Sequence, residues 1–199
     1  MKKINTYKLV VTAMLSAAAF LLMYIEVPIP SLIPGFVKMD VSDLPGLLGA
    51  FALGPVPGVV ISLLKNVLHG LIKGTSTGWI GELCNFLLAA AFTFTAGLIY
   101  MIRHNKKAAI IGSLIASVVM GLVSVPVNYF ISYPLYANLF GGMDNIIAAY
   151  MAILPSADTL IKCLVIFNLP FTIVKGLLCS VICFFIYKPL SPVLHGKNG

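Results

Sequence analysis

The chain has 199 residues, 60% of them hydrophobic and 10% charged, with a formal net charge of +7, and its mean hydropathy is +1.03. A soluble domain of this size could not hide so much apolar surface, so the composition excludes one and makes lipid the solvent. The apolar runs are of helical length rather than short alternating segments, which excludes an outer-membrane barrel. At roughly 20 residues per span, about six helices fit, an all-α membrane protein of one domain over residues 1–199.

The first apolar run, Leu9 to Ile25, follows Lys2, Lys3 and Lys8 as a signal peptide would. It ends at Glu26-Val27-Pro28 rather than at a small-residue cleavage site, so it is read as the first span. The stretch with Pro28, Pro30, Pro34 and Gly35 cannot be helix and predicts a long structured loop. Asp40 to Leu53 forms the second span. Gly54-Pro55-Val56-Pro57-Gly58 then supplies both a turn and a helix start, and a third span runs to about Ile72. A single kinked span is the alternative. The hairpin is preferred because it brings the amino-terminal lysines, the Arg103-His104-Asn105-Lys106-Lys107 loop and Lys188 and Lys197 to one side. Trp79 to Ile102, Ala108 to Leu135 and Asn168 to Tyr187 complete six spans, with both termini cytoplasmic. The amphipathic segment Asn138 to Phe167, with Asp144, Asp158 and Lys162, is expected to lie on the outer face.

This topology puts eight basic residues inside (Lys2, Lys3, Lys8, Arg103, Lys106, Lys107, Lys188, Lys197). Five lysines and all six acids lie outside or in outer helix halves, an inner charge of +8 against −1. The basic pI of 9.3 thus reports orientation and contact with anionic lipid, not nucleic acid. The four cysteines, Cys84, Cys163, Cys179 and Cys183, sit in apolar runs without metal spacing and read as packing residues.

Ionisable and amide residues inside spans are costly and point to function, with snorkelling or helix-tying networks as the alternative. Lys65, Asn66, Glu82, Asn85, Asn128 and Lys175 all fall in outer halves, where one cavity could gather them. Lys175 follows Thr172 by three residues and shares its helix face. The Asn128 amide offers both a donor and an acceptor, which suits the edge of a heteroaromatic ring. Phe36, Trp79, Tyr129 and Tyr133 lie at the outer boundary as an aromatic belt or as stacking partners. His69 and His104 have no metal partners and read as surface or interfacial residues. Ala13 and Ala17, four apart in the first span, suit either an internal helix contact or a partner surface. The chain carries no phosphate loop, no nucleophile elbow, no H-E-x-x-H and no two similar halves, a pattern that fits a substrate-capturing subunit better than a complete transporter.

Several blocks occur in order along nearly the whole chain: Pro28-Ile29-Pro30, Met39-Asp40-Val41-Ser42-Asp43-Leu44-Pro45, Gly54-Pro55, Leu64-Lys65-Asn66, Asn85-Phe86, Asn128-Tyr129-Phe130 and Pro170-Phe171-Thr172-Ile173-Val174-Lys175-Gly176. Together they resemble the riboflavin-specific substrate-binding (S) component of energy-coupling-factor (ECF) vitamin transporters. The resemblance implies a six-helix protein of the cell membrane, not an enzyme and without a cofactor, that binds riboflavin from outside beneath the loop joining the first two helices. It implies that Asn128 and Lys175 bond the flavin ring. Thr172 stands where relatives carry an asparagine, which changes one ring contact. Asp40, Lys65, Asn66, Glu82, Asn85, Phe36 and Trp79 complete the expected binding set. Ala13 and Ala17 would dock on a membrane-embedded coupling (T) component driven by two ATPases. The same architecture could serve a flavin phosphate such as FMN, with Lys38, Lys65 and Lys73 as phosphate partners, or another vitamin. A structural membrane protein or intramembrane enzyme is the reading from a different class, and against the enzyme stands the absence of a nucleophile and base pair.

Overall fold

Gly54 takes φ +109, a region open to glycine, and Pro55 occupies the first turn of the helix that follows, so the chain reverses sharply between two helices. The computed structural model describes residues 6–75, 77–139 and 141–195, with side chains to Tyr187. Lys2, Lys3, Lys197 and the side chain of Lys188 lie outside the described residues. Helix α1 (Thr6–Met23) leads into a short antiparallel pair, β1 (Val27–Pro28) with β2 (Lys38–Met39), in which Val27 faces Met39. Then come α2 (Leu44–Leu53), α3 (Pro55–Ile72), α4 (Ile80–Ile102) and α5 (Lys106–Val127). A π-turn, Asn128–Ser132, continues α5 into α6 (Tyr133–Leu139), and α7 (Met143–Met151) follows. The last run is α8 (Leu160–Cys163), a second π-turn (Leu164–Asn168) and α9 (Leu169–His195).

Five described helical runs are long and apolar enough to cross a membrane. The expected second span is shorter than its sequence implied. Helix α2 has ten residues, about 15 Å at 1.5 Å per residue against a hydrocarbon core of about 30 Å. It is also buried on nearly every side, with only Ala52 half-exposed. Small residues permit this: a Cβ on Gly49 would meet Ile61 at 2.2 Å, and one on Gly58 would meet Ala50 at 2.7 Å. Leu44, Leu47, Leu48 and Phe51 of α2 share a core with Phe92, Met120, Cys179 and Cys183.

The start of the last span corrects the sequence reading. The sequence places its start at Asn168, yet the helical run begins at Leu160 and passes through the π-turn into α9. A proline inside a helix clashes with the carbonyl four residues earlier. Here that residue is Ile166, inside the π-turn, and the same holds for Pro134 and Phe130 in the other π-turn. The widened turns absorb both prolines without breaking the helices. The outer segment is thereby reduced to α7 and its flanking turns. Its Ile146 and Tyr150 pack with Ile33 of the long loop and with Tyr133, Cys163 and Leu164.

The two ends of the bundle differ. At one, Lys38 and Lys73 donate to Glu26 at 2.5 and 2.7 Å, tying the long loop to the end of α3. Burial alone would raise the Glu26 carboxyl, but hydrogen bonds and charge from the two lysines outweigh it and hold it below its ordinary value. At the other end Lys8, Leu53, Gly54, Tyr100 and His104 line one hollow. The Gly54 turn therefore lies with Lys8 and the α4–α5 loop, as the hairpin reading requires.

Candidate ligand site

Beneath the long loop is a cavity of about 190 Å³. The loop contributes Phe36 and Asp40, α4 contributes Asn85, the first π-turn Asn128, and α9 Thr172 and Lys175. Six of the residues expected at a site thus line one cavity. Gly81, Cys84, Asn85 and Leu88 recur on the cavity-facing stripe of α4 at helical spacing. The π-turns carry Asn128 at the start of one and Asn168 at the end of the other, and both amides reach the wall. Leu88, Met120 and Phe171 supply apolar surface. A larger cavity of about 540 Å³ lies at the Lys8 end, lined by Phe51, Tyr100, His104, Phe184 and Tyr187. Its polar groups are the two tyrosine hydroxyls and His104, Asn105 and Lys106 of the α4–α5 connection, whereas the smaller cavity draws amides, a hydroxyl and a buried Lys175–Asp40 pair from the loop, α4, the π-turns and α9, so the smaller cavity is the better candidate.

Lys175 does not stand alone with Thr172. Its ammonium donates to Asp40 Oδ2 at 2.8 Å and lies 3.5 Å from Asp43 Oδ2. The Ser42 backbone N–H and hydroxyl donate to Asp40 Oδ1 at 2.8 and 2.5 Å. Lys65 donates to the Ser42 hydroxyl at 2.7 Å and pairs with Asp43. Two lysines from α3 and α9 therefore neutralise two aspartates on the segment entering α2, all four buried. An isolated charge could not persist there, and the reciprocal pairing makes the burial tolerable.

Four expected site residues lie elsewhere. Lys65 belongs to the charge cluster and does not line the cavity. Asn66 donates to the Ser62 carbonyl at 2.8 Å. Glu82 faces His69 at 3.3 Å and buries it, a histidine expected to be a surface or interfacial residue. Trp79, at φ +72, lays its indole over Gly70, where a Cβ would come within 2.3 Å of the ring. Asn66, Trp79 and Glu82 instead share a separate groove of about 360 Å³ with Leu63, Val67 and Phe86. The physical reason is helical phase: Glu82 and Leu83 point toward α3, whereas Gly81, Cys84, Asn85 and Leu88 point to the cavity.

Three polar cavity residues carry no assignment from the sequence: Ser132, Tyr136 and Asn168. Asn168 had a signal, an amide inside an apolar run, but was read as a span boundary. Cys84, read as packing, also lines the cavity and accepts a hydrogen bond from the Ser132 hydroxyl at 2.9 Å. Cys163, Cys179 and Cys183 are buried in the two cores. Ala13 and Ala17 are exposed on α1, on a different face from its buried Val11, Ser16, Ala19 and Met23.

Sequence comparison agrees with the fold. The family model for the substrate-specific component of ECF transporters matches residues 7–187. The riboflavin transporter RibU of Staphylococcus aureus is 36% identical over 187 residues, covering 94% of this chain and 92% of its own length. The riboflavin transporter FmnP of Bacillus subtilis is 28% identical over 96% of both chains. The solved S component of a bacterial ECF transporter superposes with a TM-score of 0.74 at 34% identity, covering 96% of this chain and 99% of that one. With the family model, the curated relatives and the solved fold all matched along nearly its whole length, this chain belongs to the substrate-specific components of ECF transporters.

Proposed function

We propose that this chain captures riboflavin at the outer face of the cell membrane and serves as the substrate-binding subunit of an ATP-driven ECF transporter. It is a transport protein and not an enzyme. The observation that carries the reading is full-length similarity to proteins named riboflavin transporters. The cavity supports it, since an isoalloxazine ring needs apolar surface with a few aimed donors and acceptors. Phe36, Leu88, Met120 and Phe171 provide the first, and Asn85, Asn128, Thr172 and Lys175 the second. Riboflavin is favoured over FMN because Lys38, Lys65, Lys73 and Lys175 each already face a carboxylate. A phosphate would have to compete with a carboxylate for each of these ammonium groups.

The chain acts as one domain over residues 1–199 that crosses the membrane six times, with α2 as a short second crossing completed by the loop before it. Both termini are cytoplasmic and the Glu26 end faces outward, because Lys8, Arg103, Lys106 and Lys107 gather at the opposite end. The exposed Ala13 and Ala17 face lets a T component approach α1 closely, and two ECF ATPases drive that component. No cofactor takes part.

Riboflavin and FMN titrated side by side against the purified protein, by quenching of flavin fluorescence, test the substrate. Riboflavin is expected to bind at least tenfold more tightly. Tighter FMN, or no binding of either, refutes the assignment. Single cysteines at Lys73 and Lys106 test the topology, and labelling reagent added outside is expected to reach the first and not the second. Labelling of both from one face would overturn it.

A further inference from the structure

Asn168, Tyr133 and Tyr150 form a closed hydrogen-bonded ring. The Tyr150 hydroxyl donates to Asn168 Oδ1 at 2.7 Å, Asn168 Nδ2 donates to the Tyr133 hydroxyl at 2.9 Å, and the two hydroxyls bond each other. All three side chains are buried, and they come from the second π-turn, α6 and α7. Asn168 and Tyr133 line the cavity, while Tyr150 stands behind them.

In such a ring each hydroxyl donates once and accepts once. Whichever sense the ring runs, it takes up one N–H and one oxygen lone pair of the amide. A primary amide has two of each, so one donor and one acceptor remain for the cavity that Asn168 lines. The frame around it is packed: Phe36 meets Tyr133 and Tyr150 edge-on at centroid distances of 6.4 and 6.0 Å, and Phe167 lies 5.3 Å from Tyr150. An amide held this way loses little rotamer freedom when a ligand arrives, which is how preorganisation raises affinity. Thr172, one helical turn further along, lines the same cavity, so amide and hydroxyl succeed each other along one wall.

We propose that Asn168 is a specificity-determining residue that reads a donor–acceptor edge of a heteroaromatic ligand, an imide N–H beside its carbonyl. Tyr150 does not touch the ligand and is the positioning residue that aims the amide. This role rests on the riboflavin reading, whose isoalloxazine ring carries such an imide at N3. Methylating N3 removes the donor and keeps the ring.

The test compares riboflavin with 3-methylriboflavin in the full-length wild type, Tyr150→Phe and Asn168→Leu. Tyr150→Phe keeps the aromatic contacts with Phe36 and Phe167 and deletes only the bridging hydroxyl. The wild type is expected to prefer riboflavin clearly. Tyr150→Phe is expected to lose riboflavin affinity about tenfold, a drop of roughly 1.4 kcal/mol, while 3-methylriboflavin binding changes less than about twofold. Asn168→Leu is expected to show the same selective loss, which covers the case in which one variant fails to fold. Equal weakening of both ligands, or no change, in a folded variant overturns this role and leaves the transport assignment standing. A wild type that binds neither flavin overturns both.

Discussion

Replacing Lys175 by alanine is expected to weaken riboflavin binding at least tenfold, or about 1.4 kcal/mol, read by quenching of flavin fluorescence. The substitution does two things. It removes an ammonium that lines the cavity, and it strips Asp40 of its 2.8 Å partner, leaving a buried carboxylate with only Ser42 as donor. Breaking one side of a buried pair destabilises by roughly 3 to 5 kcal/mol, mostly because the surviving charge stays buried. The double variant Lys175→Ala with Asp40→Asn separates the effects. It is expected to melt close to the wild type while keeping the loss of affinity. Full affinity in folded Lys175→Ala would remove Lys175 from the binding set.

A stability effect of the same size is expected at Lys65, without a direct contact to the ligand. Its ammonium is buried between Asp43 and Ser42 and lies outside the cavity. Lys65→Met keeps most of the side-chain length and leaves Asp43 with only the more distant Lys175, 3.5 Å away. A loss of roughly 3 to 5 kcal/mol is expected, seen as a lower midpoint in thermal melting. Adding Asp43→Asn removes the orphaned charge and is expected to restore most of that loss. Riboflavin affinity in the double variant should stay within about threefold of wild type, a change of about 0.65 kcal/mol. A melting midpoint unmoved by Lys65→Met would mean that the pair contributes nothing to the fold.

The contrast between Lys65 and Lys175 shows where sequence reading reached and where it stopped. Both are lysines inside apolar helices, and both were read as candidate ligands. Their roles diverge because Lys175 projects into the cavity and Lys65 toward the start of α2. The same division runs along α4: Glu82 and Asn85 are three residues apart, yet one faces His69 and the other the cavity. Three residues of a helix turn through about 300°, so a modest phase error moves a side chain from one groove to the next.

The prolines carried a different ambiguity. Gly54-Pro55 was legible as a hairpin because a positive φ and a fixed φ at a helix start are local properties. The start of the last span, expected at Asn168, was not legible in the same way, because whether a helix near Pro170 breaks or widens into a π-turn depends on what packs around it. Here Tyr133 and Tyr150 hold Asn168 at the end of that turn.

By itself, the sequence determined the membrane class, the hairpin at Gly54, the gathering of basic residues at one end and the set of polar residues from which a site had to be drawn. These follow from hydropathy, local backbone sterics and the energetic penalty of charge in lipid, none of which needs distant partners. Only the tertiary structure decided which of those polar residues share a cavity, that Lys175 is paired with Asp40 across 135 positions of chain, and that the Asn168 amide is hydrogen-bonded by two tyrosines. Those outcomes depend on helix phase and on contacts between elements far apart in sequence, and a pattern of residue types along one chain does not encode the angle at which two helices meet.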